Sequence, residues 1–221
     1  EENEKQKQFI TNANHELKTP LTLILANLDI AEAELGQNEW LTDIRSEGRR
    51  MTELVNKLVE LSRLDEENYK LQLTKLQISD ILYDIVSEFK FLCEKKDIKL
   101  NTNIDNDIYL NADETLTRKL IYILMDNATK YCDEKGIINI TLTNNKNIAI
   151  SIENTYEAVN DIELDKVFDR FYRSDKARTY NGGYGIGLSI AQNIATIQNA
   201  SISVHKVGSN IIRFTILYPG K

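Results

Sequence analysis

Ile138-Asn139-Ile140-Thr141-Leu142 and, six residues on, Ile148-Ala149-Ile150-Ser151-Ile152 alternate large apolar residues with polar or small ones. Period two puts successive side chains on opposite faces, so each stretch reads as a half-buried strand. Ile202-Ser203-Val204 and Ile212-Arg213-Phe214-Thr215-Ile216 repeat the pattern near the C-terminus, and Leu71 to Leu76 offers a further strand. Few helices separate these strands. Ile81, Ile85, Phe89 and Leu92 mark one, and Leu116, Leu120 and Leu124 another. Strands clustered in this way build a mixed or antiparallel sheet covered on one face, rather than a parallel barrel.

Working outward, the chain changes character before this region. All ten tyrosines lie at position 69 or beyond, and the only earlier aromatics are Phe9 and Trp40. Ile10, Ala13, Leu17, Leu21, Ile24, Leu28, Ala31 and Leu35 recur at spacings of three and four. Gly36-Gln37-Asn38 breaks the pattern, and Leu41, Ile44, Gly48, Met51, Val55 and Leu58 resume it. These stripes are the apolar seams of two helices joined by a short turn. A lone helical hairpin buries too little surface to stand alone, and two copies close a four-helix bundle. The expected fold is therefore α+β. A helical hairpin over 1–67 forms a dimeric four-helix bundle, and an α/β domain follows over 68–221.

Composition narrows the function classes. A chain of 221 residues with 42% hydrophobic and 28% charged residues is that of a folded protein. Its net charge of −7 lacks the positive field that a phosphate backbone demands, so nucleic-acid binding is disfavoured. No apolar run approaches the ~20 residues of a membrane-spanning helix, so no membrane contact is expected of this stretch. Its polar, charged start is not that of a signal peptide, and it reads as an excised fragment. Cys93 and Cys132 make no disulfide framework and suit a reducing compartment.

One of only two histidines stands in Asn14-His15-Glu16-Leu17-Lys18-Thr19-Pro20. At 100° per residue, His15 sits about 160° round the helix from Ala13 and Leu17, so it points away from the seam toward solvent. An exposed imidazole with a pKa near ~6.5 is mostly neutral at pH 7, which leaves one ring nitrogen nucleophilic. Thr19 lies one turn on and Glu16 is adjacent. Pro20 leaves the Glu16 carbonyl without its helical partner, which predicts a bend there. The run is not H-E-x-x-H, and no G-x-S-x-G supports a serine nucleophile. A plain surface histidine remains the alternative for these seven residues alone.

Four of the nine glycines fall within six residues, at Gly182, Gly183, Gly185 and Gly187. Leu188 and Ser189 then lead into a helical pattern of Ile190, Ile194 and Ile197. Glycines let backbone N–H groups approach an anion, and a helix N-terminus adds a favourable dipole. No Lys-Ser or Lys-Thr closes the loop, so it is not a Walker loop, and a flexible turn explains the glycines equally well. On the helix Leu120 to Tyr131, Ile123, Asn127, Lys130 and Tyr131 share one face. Asn127 offers an oxygen to a hard cation such as Mg²⁺, Lys130 a charge for phosphate, and Tyr131 a ring for a base. Alone, this helix could equally present its Asn and Lys to water.

Together and in this order, these pieces resemble the cytoplasmic catalytic core of a bacterial sensor histidine kinase, over nearly the whole chain. Phe9 to Thr22 is similar to the H-box of the dimerisation and phosphoacceptor domain. Asp126-Asn127-Ala128-Thr129-Lys130-Tyr131 is similar to the N-box, Phe168 to Arg173 to the F-box, and Gly183 to Leu188 to the G2 box. The resemblance implies a Bergerat-type ATP-binding sandwich with a lid over about 174–184. It also implies that His15 is phosphorylated with Glu16 as its acid/base partner, and that Thr19 positions water when a phosphorylated regulator is dephosphorylated. Asn127 would hold Mg²⁺. Lys130, Tyr131, Gly183, Gly185, Gly187 and Leu188 would bind ATP. Arg170 and Arg173 could reach phosphate or the phosphoacceptor helix, or be plain surface charges beside Phe168 and Phe171, which read as buried.

The chain departs from the family pattern in two places. Where a D-x-G-x-G box follows the strand ending near Ile152, this sequence has Asn154-Thr155-Tyr156-Glu157-Ala158. Asn154 keeps a carbonyl acceptor for the adenine amino group without the charge, at a cost of about 1–2 kcal/mol. The first asparagine of the N-box is Ile123. The expected function is ATP-dependent autophosphorylation of His15, then transfer to an aspartate on a response regulator receiver domain, by a homodimer with a membrane-anchored parent. The alternatives are a phosphatase-dominant protein and a non-catalytic dimeric scaffold that binds the regulator.

Overall fold

The structure is a computed structural model that describes residues 2–36, 38–65, 69–174 and 183–220. For residues 2–16 and Leu35 it describes the helical backbone alone. The chain divides into two compact units, Glu1–Tyr69 and Lys70–Lys221.

The first unit is a helical hairpin of α1 (Glu2–Leu35) and α2 (Glu39–Leu64). α1 ends at Gly36, which takes φ +77° while its N–H still reaches the Glu32 carbonyl at 2.9 Å. That left-handed turn is open to glycine at little cost. α2 begins at once, with the Asn38 side chain accepting from the Trp40 N–H at 2.9 Å as an N-cap. Of the expected turn Gly36-Gln37-Asn38, Gln37 lies outside the described residues. α1 is not interrupted at Pro20.

The helices run antiparallel. Arg45 of α2 binds Asp29 at 2.5 Å and Glu32 at 2.6 Å on α1. One turn further, a Cβ on Gly48 would come within 2.9 Å of Leu25 Cδ2, so the hairpin is closely packed there. The apolar stripes divide by heptads. Leu21 and Leu28 on α1, and Gly48 and Val55 on α2, are buried within the hairpin unit. Leu17, Ile24, Ile44 and Met51 are 51%, 48%, 49% and 50% exposed. Each pair is seven residues apart, so each helix presents a second apolar line that its own partner helix leaves uncovered.

The second unit is a two-layer sandwich. Its strands are β1 (Leu73–Gln77), β2 (Lys99–Ile104), β3 (Tyr109–Asp113), β4 (Ile137–Asn144), β5 (Ile148–Thr155), β6 (Ser201–Val207) and β7 (Ile211–Tyr218). Among the described residues its α-helices are α3 (Ile78–Lys95), α4 (Glu114–Tyr131) and α5 (Gly187–Ile197), with two 3-10 turns at Glu157–Asp161 and Leu164–Lys166. The main sheet has the order β2-β4-β5-β7-β6, with β2 parallel to β4 and the other pairs antiparallel. β1 and β3 form a separate antiparallel pair.

The mixed sheet covered on one face is thus as expected. Register explains which face is covered. Ile140 lies opposite Ile152, and Ile152 opposite Phe214, all buried. The helices bring Ile81, Leu82, Leu120, Leu124, Ile190 and Ile194 against that face. The other face is polar. Asn101 donates to Asn139 at 2.9 Å, Asn139 to Glu153 at 2.9 Å, and Arg213 Nε to Glu153 at 2.7 Å, a ladder across four strands.

Candidate functional site

α4 starts at Asp113, whose side chain accepts from the Leu116 N–H at 3.1 Å, and it buries Leu120, Leu124, Met125 and Ala128 in the core. One flank of the same helix carries Ile123, Asn127, Lys130 and Tyr131, all half-buried. Lys130 Nζ is held by Asp126 at 2.6 Å, one turn back on the same helix. Half-buried groups of this kind line an open site rather than a core.

The glycine segment lies against this face. A Cβ on Gly187 would sit 3.6 Å from Ile123 Cγ2, and one on Gly183 would sit 3.9 Å from the Tyr131 hydroxyl. Its two ends therefore lie by two residues, eight apart, that share this half-buried flank of α4 with Asn127. At Gly187 the chain turns into α5 behind Ile186, which makes no side-chain cap. The first amides of α5, Gly187 and Leu188 among them, lack helical acceptors, and the dipole there favours negative charge. A half-buried Asn amide, a lysine ammonium and uncapped amides fit a phosphate chain with its cation.

Among the described residues no group of three His, Cys, Asp or Glu side chains is placed to hold a metal ion. A cation here would lean on Asn127 and on the phosphates themselves, as Mg²⁺ does in phosphate sites.

Gly185 also makes room for a neighbouring segment. It adopts φ +70°, its carbonyl accepts from the Phe171 N–H at 2.8 Å, and a Cβ there would meet the Tyr172 carbonyl oxygen at 2.5 Å. It lets the backbone of the F-box lie against the glycine segment. Phe168 packs edge-on against Phe214, with ring centroids 6.3 Å apart. Phe171 corrects the sequence expectation, since it is 58% exposed and left-handed at φ +66°. That turn swings its ring out of the core. Arg170 is exposed and Arg173 half-buried. Of the expected lid at 174–184, residues 175–182, Gly182 included, lie outside the described residues.

Asn154 stands at the end of β5 on the helix-covered face, 1% exposed, with its Nδ2 donating to the Thr155 carbonyl at 3.0 Å. Sequence reading passed over Thr155. Its hydroxyl accepts from the Ile137 N–H at 3.0 Å and contacts Cys132 Sγ at 3.5 Å, tying the end of α4 to the end of β5. Burial pushes the Cys132 thiol above its usual range, opposed by that Thr155 contact. Only its place beside Asn154 in the sequence signals Thr155.

In the first unit His15 and Glu16 lie on the α1 backbone, and the expectation that His15 faces solvent falls outside the described side chains. Thr19, one turn on, is exposed. No helix among the described residues is long and apolar enough to cross a membrane.

Comparison with known proteins follows the same division. Residues 5–67 match the His Kinase A (phospho-acceptor) domain, and residues 112–219 match the Histidine kinase-, DNA gyrase B-, and HSP90-like ATPase family. Between them the two matches cover most of the chain, in the order of the bacterial sensor kinases. The chain belongs to the sensor histidine kinases. Among curated proteins it is 31% identical over 203 residues to sensor protein DltS of Streptococcus agalactiae, covering 91% of this chain and 51% of that one. It is 30% identical over 227 residues to the sensor histidine kinase WalK of Bacillus subtilis, covering 97% of this chain and 37% of that one. The chain spans about half the length, or less, of these relatives.

Two solved structures share the fold. Full-length ShkA in complex with AMPPNP aligns with a TM-score of 0.78 at 21% identity, over 96% of this chain and 45% of that one. Acinetobacter baumannii AdeS aligns with a TM-score of 0.67 at 20% identity, over 93% of this chain and 97% of that one.

Proposed function

We propose that this chain transfers the terminal phosphoryl group of ATP to His15 and then to an aspartate of a response regulator receiver domain. In the first step a neutral ring nitrogen of His15 forms a bond to the γ-phosphorus, the bond from that phosphorus to the bridging oxygen breaks, and ADP leaves. Phosphoryl transfer asks the protein mainly for position and charge. The uncapped start of α5 at Gly187 and Leu188, with Gly183, receives the phosphates; Lys130 adds positive charge; Tyr131 and Asn154 receive the adenine. Mg²⁺, held through the Asn127 amide oxygen, neutralises the phosphate oxygens when bound. Glu16 serves as acid/base partner of His15.

The observation that carries this reading is the seating of Gly183 and Gly187 against Tyr131 and Ile123, on the α4 face that Asn127 shares. A calorimetric titration with Mg²⁺ and ATP tests it. Saturable binding that Asn127→Ala weakens about tenfold or more is the expected result. Absence of binding would leave the scaffold reading.

The chain works as a homodimer in this reading, its exposed heptad lines at Leu17, Ile24, Ile44 and Met51 closing a four-helix bundle with a second copy. The parent protein is membrane-anchored, with this part in the cytosol. A second reading is favoured by one observation. Thr19 is exposed one turn from His15, where it can orient water against a bound phospho-regulator, so dephosphorylation of the regulator belongs to the same helix.

A further inference from the structure

The backbone after β5 turns without a glycine. Tyr156 is extended at φ −154°, ψ 102°, and Ala158 sits at φ −85°, ψ 23°. Asp133, two residues past the end of α4, grips the chain on both sides of Tyr156. Its N–H donates to the Thr155 carbonyl at 3.1 Å, and its two carboxylate oxygens accept from the Glu157 N–H at 3.1 and 3.0 Å. The Gly136 N–H donates to the Asp133 carbonyl at 3.0 Å, which fixes Asp133 in its own turn.

The Thr155 carbonyl that Asp133 holds also accepts the Asn154 amide, at 3.0 Å. An asparagine amide has a donor edge and an acceptor edge of nearly the same shape, so its polarity is set by its partners. Asn154 is 1% exposed, and the Thr155 carbonyl takes only a donor. A carboxylate at this position would have no such choice to make.

We propose that Asp133 is a positioning residue for nucleotide recognition. By clamping Thr155 to Glu157 it keeps the Thr155 carbonyl where it turns the Asn154 donor edge away, leaving the acceptor edge for the base. This rests on the nucleotide reading above. An acceptor edge matches the 6-amino group of adenine and opposes the 6-oxo group of hypoxanthine.

The test uses the full chain with Mg²⁺ and either ATP or inosine triphosphate. Wild type binds ATP more tightly. In Asp133→Ala the ATP affinity falls about tenfold, and the preference for ATP over inosine triphosphate shrinks by a similar factor. Asp133→Asn keeps a carbonyl acceptor for the Glu157 N–H and restores most of the preference. Glu157→Pro removes the donor from the other side of the clamp, at the first position of a 3-10 turn, and reproduces the loss if Asp133→Ala fails to fold. A folded Asp133→Ala or Glu157→Pro chain with the wild-type base preference would overturn the inference. So would a wild type that binds both nucleotides equally. A wild type that binds neither would instead remove the nucleotide reading, and this inference with it.

Discussion

The Phe171 N–H donates to the Gly185 carbonyl at 2.8 Å, and the Tyr172 carbonyl oxygen occupies the space where Gly185 would carry a Cβ. Gly185 therefore joins two motifs that nine residues of chain separate. The glycine segment is placed over α4 partly because the F-box backbone is pressed against it.

Replacing Gly185 with alanine brings two costs together, a side chain at φ +70° and a backbone clash at 2.5 Å. The expected loss of stability is about 2–4 kcal/mol, with ATP binding weakened as well. Gly208→Ala is the control. It has φ +64° with nothing within 4 Å of the added carbon, so it pays the conformational term alone, about 1 kcal/mol. Thermal unfolding of both variants checks this, and equal losses would place the effect in the turn rather than in the contact.

Asn154→Asp restores a charge that the family pattern has, which by itself favours tighter ATP binding by about 1–2 kcal/mol. The structure opposes that gain. The new carboxylate would be buried, and it would set an oxygen against the Thr155 carbonyl where Nδ2 now donates at 3.0 Å. Losing that bond and burying the charge costs about 1–3 kcal/mol or more, so the variant is expected to unfold earlier and to bind ATP no more tightly. Calorimetry beside a melting curve decides it, and a tighter, equally stable variant would show that the Thr155 contact is dispensable.

The exposed heptad lines set the oligomeric state in this account. Ile24→Asp or Ile44→Asp would place a carboxylate in the closed bundle and weaken association about 100-fold or more. Sedimentation is expected to show a dimer for wild type and a monomer for either variant. ATP binding by the second unit should be retained. A wild-type monomer at micromolar concentration would contradict the bundle.

Much of this was legible from residue pattern. Strands β4, β5 and β7 show because a half-covered sheet imposes period two on every strand, and the hairpin shows because Gly36 and Asn38 are a helix stop and a helix cap side by side. Other features were not legible because they depend on contacts between distant segments. Periodicity groups Leu17 with Leu21, yet only packing separates the line facing the hairpin partner from the line facing outward. The pattern Phe168-Asp169-Arg170-Phe171 reads as two buried rings until the left-handed turn at Phe171 is seen. Glycine density suggests a phosphate loop, and nothing local shows that Gly185 also seats the F-box backbone. Lys130 reads as a phosphate group's partner from its position alone, and the structure pairs it with Asp126 one turn back.

Phosphorylation of His15 is decided by incubating the full chain with γ-labelled ATP and Mg²⁺ beside a His15→Gln variant. Acid-labile label on wild type that moves to a receiver domain, and none on the variant, is the expected result, with ATP binding and thermal stability unchanged between the two. Label that persists on a folded His15→Gln chain would contradict it.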